Sequence, residues 1–250
     1  MTVSRDGELL IMNADGSQAA PIPDVHNAGY PAACGRYFLY ASYEHGKLGL
    51  TRVDADGSNP LILVEKGMLG SPVCAPDLHS VFYVDWNKPT KVYRIPIEGG
   101  TPTVVAEGMG SEIDGRLVIS PDGKFLAYGF EEYNPEPVNK LAVIPVDGSS
   151  PAKVLGVPGW TFESGCCRDS HLRITGALRW SPDGKGLQSL VTRDGVTNIW
   201  ELPLGGGKPK QLTMFTSGLM TDFEWFPDGK QLVLTRGELN SEVVLISNFR

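Results

Sequence analysis

Two adjacent cysteines, followed by an arginine and then a histidine, form the segment best equipped for chemistry. They are Cys166, Cys167, Arg168 and His171. Thiolate and imidazole groups are ligands that zinc prefers, but a structural zinc site needs four ligands and no fourth is evident. Adjacent cysteines also rarely bridge each other, because a disulfide requires a particular Cα geometry. We therefore interpret this segment as a surface loop with ordinary thiols and as the candidate contact loop.

Motifs for catalysis are missing from the sequence. It contains no Gly-x-x-x-x-Gly-Lys phosphate loop, no His-Glu-x-x-His zinc motif and no Gly-x-Ser-x-Gly nucleophile elbow. The aspartates do not follow the spacing of a calcium loop. His26 and His45 lie in predicted loops, and His79 occupies a predicted turn. The sequence thus predicts a protein that is not an enzyme and has no metal or cofactor.

Many of the aspartates belong to a short turn motif that recurs along the chain. Its complete form, Ser-Pro-Asp-Gly-Lys, stands at residues 120–124 and 181–185, and variants stand at 75–79 and 226–230. Proline presets the first turn position, aspartate bonds its own backbone and glycine accepts a positive φ, so each motif predicts a tight turn. We assign this structural role to Asp122, Gly123, Asp183, Gly184, Asp228 and Gly229.

A second turn, an acidic residue or glycine followed by glycine, alternates with the first. It begins at residues 15, 56, 98, 147 and 205, between runs of β-branched and aromatic residues. A period of roughly 40 to 45 residues built from short strands is typical of a β-propeller. The two longest intervals contain insertions, around residues 134–137 and 157–176, and the second insertion carries the candidate contact loop.

The repeat at residues 176–213 shows how one blade is built. Its alternating segments 177–180, 187–192 and 197–202 predict strands a, b and c, and residues 210–213 predict a short outer strand d. A four-stranded sheet of this kind exposes two faces, so it must stack on neighbouring blades. We therefore expect the apolar contacts between blades to provide most of the stability.

The two ends of the chain give incomplete blades. Residues 8–22 predict only strands c and d, and the C-terminal end predicts a, b and c, with c at 243–247. We predict a single all-β domain over residues 1–250, a six-bladed propeller of four-stranded antiparallel blades whose first blade is incomplete. The alternative is a five-bladed ring in which the N-terminal strand completes the last blade. The repeats span approximately residues 1–23, 24–65, 66–107, 108–156, 157–213 and 214–250.

The other two cysteines, Cys34 and Cys74, occupy one repeat position at the end of strand a. Trp180 and Trp225 stand at that position in later repeats. A position shared with tryptophan is typical of inward packing, and a free cysteine behaves there as a small hydrophobe. We expect Cys34 and Cys74 to be packing residues and not metal ligands.

Composition and charge limit the partners. A net charge of -7 and a pI of about 5.1, without a cluster of Lys and Arg, argue against a nucleic-acid surface. No apolar run approaches the roughly 20 residues that span a bilayer, so we expect no direct membrane insertion. Residues 1–6 do not have the pattern of a signal peptide. Two compartments agree with the sequence. The chain would be periplasmic or otherwise extracytoplasmic if it is the sensor of a membrane kinase, and cytoplasmic if it is not.

At this period, the alternating Ser-Pro-Asp-Gly-Lys and Asp-Gly-x-x-Pro turns resemble the TolB-like repeat of bacterial propellers. Residues 192–200, 209–213 and 243–249, with the Pro-x-x-Cys forms at Cys34 and Cys74, resemble sensor propellers of bacterial serine/threonine protein kinases and winged-helix regulators. The resemblance implies a non-catalytic sensing or interaction module fused to an upstream kinase or DNA-binding domain. Its ligand, protein or small molecule, is unknown, and no catalytic residue carries over.

Two other functions use the same repeats. One is the propeller domain of a prolyl-oligopeptidase-like hydrolase, which requires a downstream α/β-hydrolase domain. The other is a free-standing periplasmic propeller resembling TolB, which requires a signal sequence and usually an additional α/β domain. We see none of these segments in this sequence, and we expect the chain to end naturally at residues 248–250, so the binding module is the preferred hypothesis.

Overall fold

The computed structural model describes residues 2–3, 8–13, 17–23, 25, 28–44, 47–67, 69–87, 89–107, 112–133, 137–157, 160, 177–226 and 228–238. These residues form strands, turns and irregular segments. Within these ranges we find no helix with the length and apolar character needed to span a membrane. The described part of the chain is therefore all-β, as the turn pattern predicts.

The described strands form six antiparallel sheets, which we number as blades 1 to 6 in chain order. Blade 1 contains β1 (Thr2–Val3), β2 (Leu9–Ile11) and β3 (Ala20–Pro21). Blade 2 contains β4 (Ala28–Cys34), β5 (Tyr37–Glu44), β6 (Lys47–Asp54) and β7 (Leu61–Val64). Blade 3 contains β8 (Leu69–Cys74), β9 (Ser80–Asp85), β10 (Lys91–Pro96) and β11 (Thr103–Glu107).

The remaining blades follow the same order. Blade 4 contains β12 (Glu112–Ile119), β13 (Phe125–Tyr133), β14 (Pro137–Pro145) and β15 (Lys153–Gly156). Blade 5 contains β16 (Leu178–Trp180), β17 (Gly186–Arg193), β18 (Val196–Pro203) and β19 (Lys210–Gln211). Blade 6 contains β20 (Leu219–Trp225) and β21 (Leu232–Gly237) among the described residues.

Blades 2 to 5 each have four strands paired in chain order, so the predicted β-propeller of four-stranded antiparallel blades is confirmed. The six sheets agree with a ring of either five or six blades. Blade 1 differs from the expectation of two strands, because β1 pairs with β2 through Thr2 with Leu10 and Val3 with Leu9. The strand predicted at 243–247 lies outside the described residues.

The hydrophobic core of the described chain lies between the blades. Each of five buried clusters joins two successive blades, from blades 1 and 2 to blades 5 and 6. Between blades 3 and 4, for example, Phe82 and Val92 pack with Leu126 and Tyr128. Each such aliphatic or phenylalanine side chain contributes roughly 1.5–3 kcal/mol when fully buried. The stacking of blades therefore stabilises the fold, as expected.

A disulfide joins Cys34 at the end of β4 to Cys74 at the end of β8, with their Cα atoms 5.3 Å apart. Cys34 is also buried in the cluster between blades 2 and 3. The sequence predicted only a packing role for these cysteines, and the structure corrects this because the two are covalently bonded. The bond is possible because the first strands of neighbouring blades end side by side.

Two buried tyrosines make the fold sensitive to alkaline pH. Removal from water raises the pKa of Tyr83 and of Tyr128 well above the ordinary value. Because folding favours the neutral phenols, their stabilisation is complete below about pH 10, the ordinary tyrosine pKa, and is lost as the pH rises through the raised values.

We therefore expect a spectrophotometric titration at alkaline pH to show at least two of the eight tyrosines ionising only as the protein unfolds. The Tyr83→Phe and Tyr128→Phe variants should each lose one late-ionising group, with far-UV circular dichroism reporting unfolding. Ionisation of every phenol near pH 10 in a protein that stays folded would contradict this expectation.

Candidate functional site

The structure places the six assigned turn residues in the connections between the first and second strands of blades 4, 5 and 6. In blade 5, the Ser181 hydroxyl donates to Asp183 Oδ1 over 2.6 Å, and the Lys185 amide donates to the same oxygen over 3.0 Å. The same two bonds form around Asp122 in blade 4. The serine hydroxyl lowers the pKa of each aspartate. The motif thus uses its carboxylate to close a turn.

The candidate contact loop, with Cys166, Cys167, Arg168 and His171, lies outside the described residues, as do His26 and His45. Before the loop, the structure describes the chain up to residue 157 and also residue 160. The Trp160 side chain is buried in the cluster between blades 4 and 5, and Asn139 Nδ2 donates to the Trp160 carbonyl over 2.7 Å. The chain is therefore anchored to blade 4 at Trp160.

Charged side chains from three blades converge where the first strands meet. They are Arg116 on β12, Arg179 on β16, and Asp222 and Glu224 on β20; we call them the axial cluster. Arg116 Nη1 lies 3.8 Å from Asp222 Oδ2, although blade 5 stands between their blades. A contact that passes a whole blade requires both side chains to point toward the common axis. The axial cluster therefore lies at the centre of the propeller.

Arg179 organises the cluster. Its Nε donates to Glu224 Oε2 over 2.6 Å and its Nη2 donates to Asp222 Oδ1 over 3.1 Å. Nη1 donates to the Leu178 carbonyl over 2.8 Å, and only 10% of the side chain is exposed. Charge-assisted hydrogen bonds of this kind are shorter and stronger than bonds between neutral groups. Arg179 is thus committed to holding the two carboxylates of blade 6 in place.

Arg116 and Glu224 face solvent to a larger extent. The exposed fractions are 47% for the Arg116 side chain and 59% for that of Glu224. The distance from Arg116 to Asp222 exceeds that of a hydrogen bond, so this ion pair leaves guanidinium donors available. The cluster therefore offers a hydrogen-bond donor of positive charge beside an acceptor of negative charge. In the described part of the chain, no group of three His, Cys, Asp or Glu side chains could hold a metal ion.

The axial cluster was not predicted from the sequence, although the sequence contains a signal for it. Arg179 and Glu224 each stand one residue before the aligned Trp180 and Trp225, and Asp222 stands three before Trp225. Positions two apart on a strand share one face. Opposite charges on one face of the innermost strands of two successive repeats indicate an ion pair at the axis.

Comparison with known proteins agrees with the fold. No protein-family model and no curated protein matches the sequence. TolB from Acinetobacter baumannii matches with a TM-score of 0.62 and 23% identity, over 85% of this chain and 50% of that chain. The putative TolB from Agrobacterium tumefaciens matches with a TM-score of 0.62 and 17% identity, over 95% of this chain and 89% of that chain. These structural neighbours are TolB-like β-propellers.

A propeller attached to a peptidase also matches. The β-propeller domain of the Trilobed protease from Pyrococcus furiosus has a TM-score of 0.55 and 10% identity, over 84% of this chain and 64% of that chain. At these identities the likeness shows the propeller fold. The chain spans half the length of the Acinetobacter TolB.

Proposed function

We propose that this propeller is a non-catalytic module that binds a charged peptide segment of a partner protein at the axial cluster. One observation carries the proposal: side chains of both charges from three blades meet at the axis, and Arg116 and Glu224 are partly exposed there. A guanidinium donates hydrogen bonds to a carboxylate or a backbone carbonyl, and a carboxylate accepts them from a basic group. A peptide with an acidic and a basic side chain complements both.

We further propose that the propeller is the sensor part of a larger bacterial signalling protein and works outside the cytoplasm. The turn motifs and the segments at 192–200 and 209–213 support a resemblance to kinase- and regulator-linked sensors. The disulfide between Cys34 and Cys74 supports an oxidising compartment, since such bonds are rare in the cytosol. The complete reading frame upstream of Met1 tests this: a kinase or winged-helix segment is expected there.

A selection from phage-displayed random peptides tests binding at the axis. We expect peptides selected on the wild-type protein to bind Arg116→Glu and Glu224→Lys at least tenfold more weakly, a loss of about 1.4 kcal/mol. The matched control is Lys210→Ala, which removes an exposed charge from the outer strand β19. Affinity is measured by isothermal titration calorimetry with the synthetic peptides. Peptides that bind all three variants equally well would place recognition elsewhere.

The second candidate function is the propeller of a prolyl-oligopeptidase-like hydrolase. The likeness to the Trilobed protease propeller favours it, because that propeller belongs to a protease. In this case a hydrolase domain would be joined to the chain, and the complete reading frame decides between the two candidates. Charge reversal at Arg116 would then change access of peptide substrates to that domain instead of binding to the propeller alone.

A further inference from the structure

The innermost strands of three successive blades are interrupted by bulges at the same place. In β4, residues 30–31 stand opposite Tyr40 of the second strand, and in β8 residues 71–72 stand opposite Tyr83. In β12 the bulge is longer, with residues 115–117 opposite Tyr128, and it contains Arg116. Residues in a bulge leave the hydrogen-bond ladder, so their backbone groups need other partners.

Ser71 supplies such a partner to the neighbouring blade. The Leu117 amide donates to Ser71 Oγ over 2.6 Å, so the bulge of β8 is bonded to the bulge of β12. Ser71 is 3% exposed and has a φ of +51°, a left-handed backbone that is unfavourable for residues other than glycine. The strained backbone at Ser71 brings its hydroxyl to the Leu117 amide.

This bond restrains Arg116. The Leu117 amide belongs to the peptide plane that follows the Arg116 Cα atom, and a peptide unit is rigid. Fixing that plane limits the backbone rotation that would turn the Arg116 side chain away from the axis. Arg116 has no strand ladder to hold it, because it lies within the bulge. The Ser71 hydroxyl is therefore the described contact that fixes the backbone beside Arg116.

We propose that Ser71 is a positioning residue: it holds Arg116 at the axis, within reach of Asp222 and of a bound peptide. The part of this inference that concerns peptide binding rests on the proposed function. The part that concerns the position of Arg116 does not, so the two are tested separately.

Nuclear magnetic resonance of the arginine Nε–H groups tests the position of Arg116 without a ligand. The Arg116 signal is assigned by its absence from the spectrum of Arg116→Ala. In the wild-type background, Asp222→Asn should change the chemical shift of this signal. With Ser71→Ala or Ser71→Gly, that change should fall by at least half. Both variants remove the hydroxyl, but only glycine relieves the left-handed backbone, so equal effects identify the hydroxyl as the cause.

The control for this measurement is Ser80→Ala, which removes another buried serine hydroxyl of blade 3, one that accepts a hydrogen bond from Arg94 Nε. It should leave the Asp222-dependent shift of Arg116 unchanged. An undiminished shift in both Ser71 variants, or an equal loss in Ser80→Ala, would overturn the proposal.

Peptide affinity tests the consequence for binding. For a peptide selected on the wild-type protein, Ser71→Ala should weaken binding about tenfold, and the double variant with Arg116→Ala should bind no more weakly than Arg116→Ala alone. Additive losses would overturn a role through Arg116. If no selected peptide depends on Arg116, the proposed function fails, while the resonance measurement still decides whether Ser71 positions Arg116.

Discussion

Reduction of the disulfide between Cys34 and Cys74 is expected to lower the free energy of unfolding by about 4 kcal/mol. The bond closes a loop of 40 residues, which contains the last three strands of blade 2 and nearly all of strand β8. Cross-linking the ends of such a loop restricts the unfolded chain and so raises its free energy. A loss of this size is a large fraction of the 5–15 kcal/mol that typically separates folded from unfolded domains, so the reduced protein should unfold at much lower urea concentration.

Urea-induced unfolding, followed by the fluorescence of the five tryptophans, measures this effect with and without a phosphine reductant. The Cys34→Ser/Cys74→Ser variant should resemble the reduced wild type and should not respond to the reductant. This control matters because Cys166 and Cys167 are also present. A variant that the reductant destabilises as much as the wild type would assign the effect to those other cysteines.

In blades 5 and 6, the repeat position of these cysteines carries a tryptophan, and its indole joins neighbouring blades through a hydrogen bond. The indole Nε1 of Trp180 donates to the Val118 carbonyl of blade 4 over 3.4 Å. The indole of Trp225 donates to Gln188 Oε1 of blade 5 over 2.7 Å. A disulfide joins blades 2 and 3 at the same repeat position. The exchange of cysteine with tryptophan therefore reflects a shared role in joining blades.

The repeat pattern predicted most of the fold because turn chemistry is local. Each Ser-Pro-Asp-Gly-Lys motif closes its own turn through bonds within about five residues, such as that from Ser181 to Asp183, so sequence alone predicts it. The stacking of the blades could also be predicted, because each blade has two apolar faces that it cannot bury alone. The disulfide was missed because a repeat position shows which residues are equivalent, and not which of them touch.

The place of Arg116 in the axial cluster could not be derived from local rules, for the same reason. The pair formed by Arg116 and Asp222 passes over blade 5, so it exists only after three blades are placed around an axis. The bulge that presents Arg116 also breaks the alternation that a sequence pattern relies on. The opposite charges of Arg179 and Glu224 were visible in the sequence, but the contact with Arg116 depends on the curvature of the whole ring.

Replacement of Gly229 by alanine is expected to destabilise the protein by about 2–5 kcal/mol, because the turn of blade 6 packs on that of blade 5. Gly229 has a φ of +64°, and an added Cβ would lie 2.7 Å from Pro182 Cβ, closer than such atoms approach. The left-handed backbone costs about 1–2 kcal/mol for alanine. Overpacking in a contact of this kind adds roughly 1–3 kcal/mol. Gly229 is thus required both by its own turn and by the proline of the preceding blade.

Gly195 provides the matched control, since it has a φ of +76° and an added Cβ would meet nothing within 4 Å. Gly195→Ala should show the backbone cost alone, about 1–2 kcal/mol. The destabilisation by Gly123→Ala should fall between those of Gly195→Ala and Gly229→Ala, because the added Cβ would lie 3.2 Å from Pro76 Cδ. The three midpoints of urea unfolding should follow this order. Equal destabilisation of Gly229→Ala and Gly195→Ala would show that contact between successive turns does not contribute to the stability of the ring.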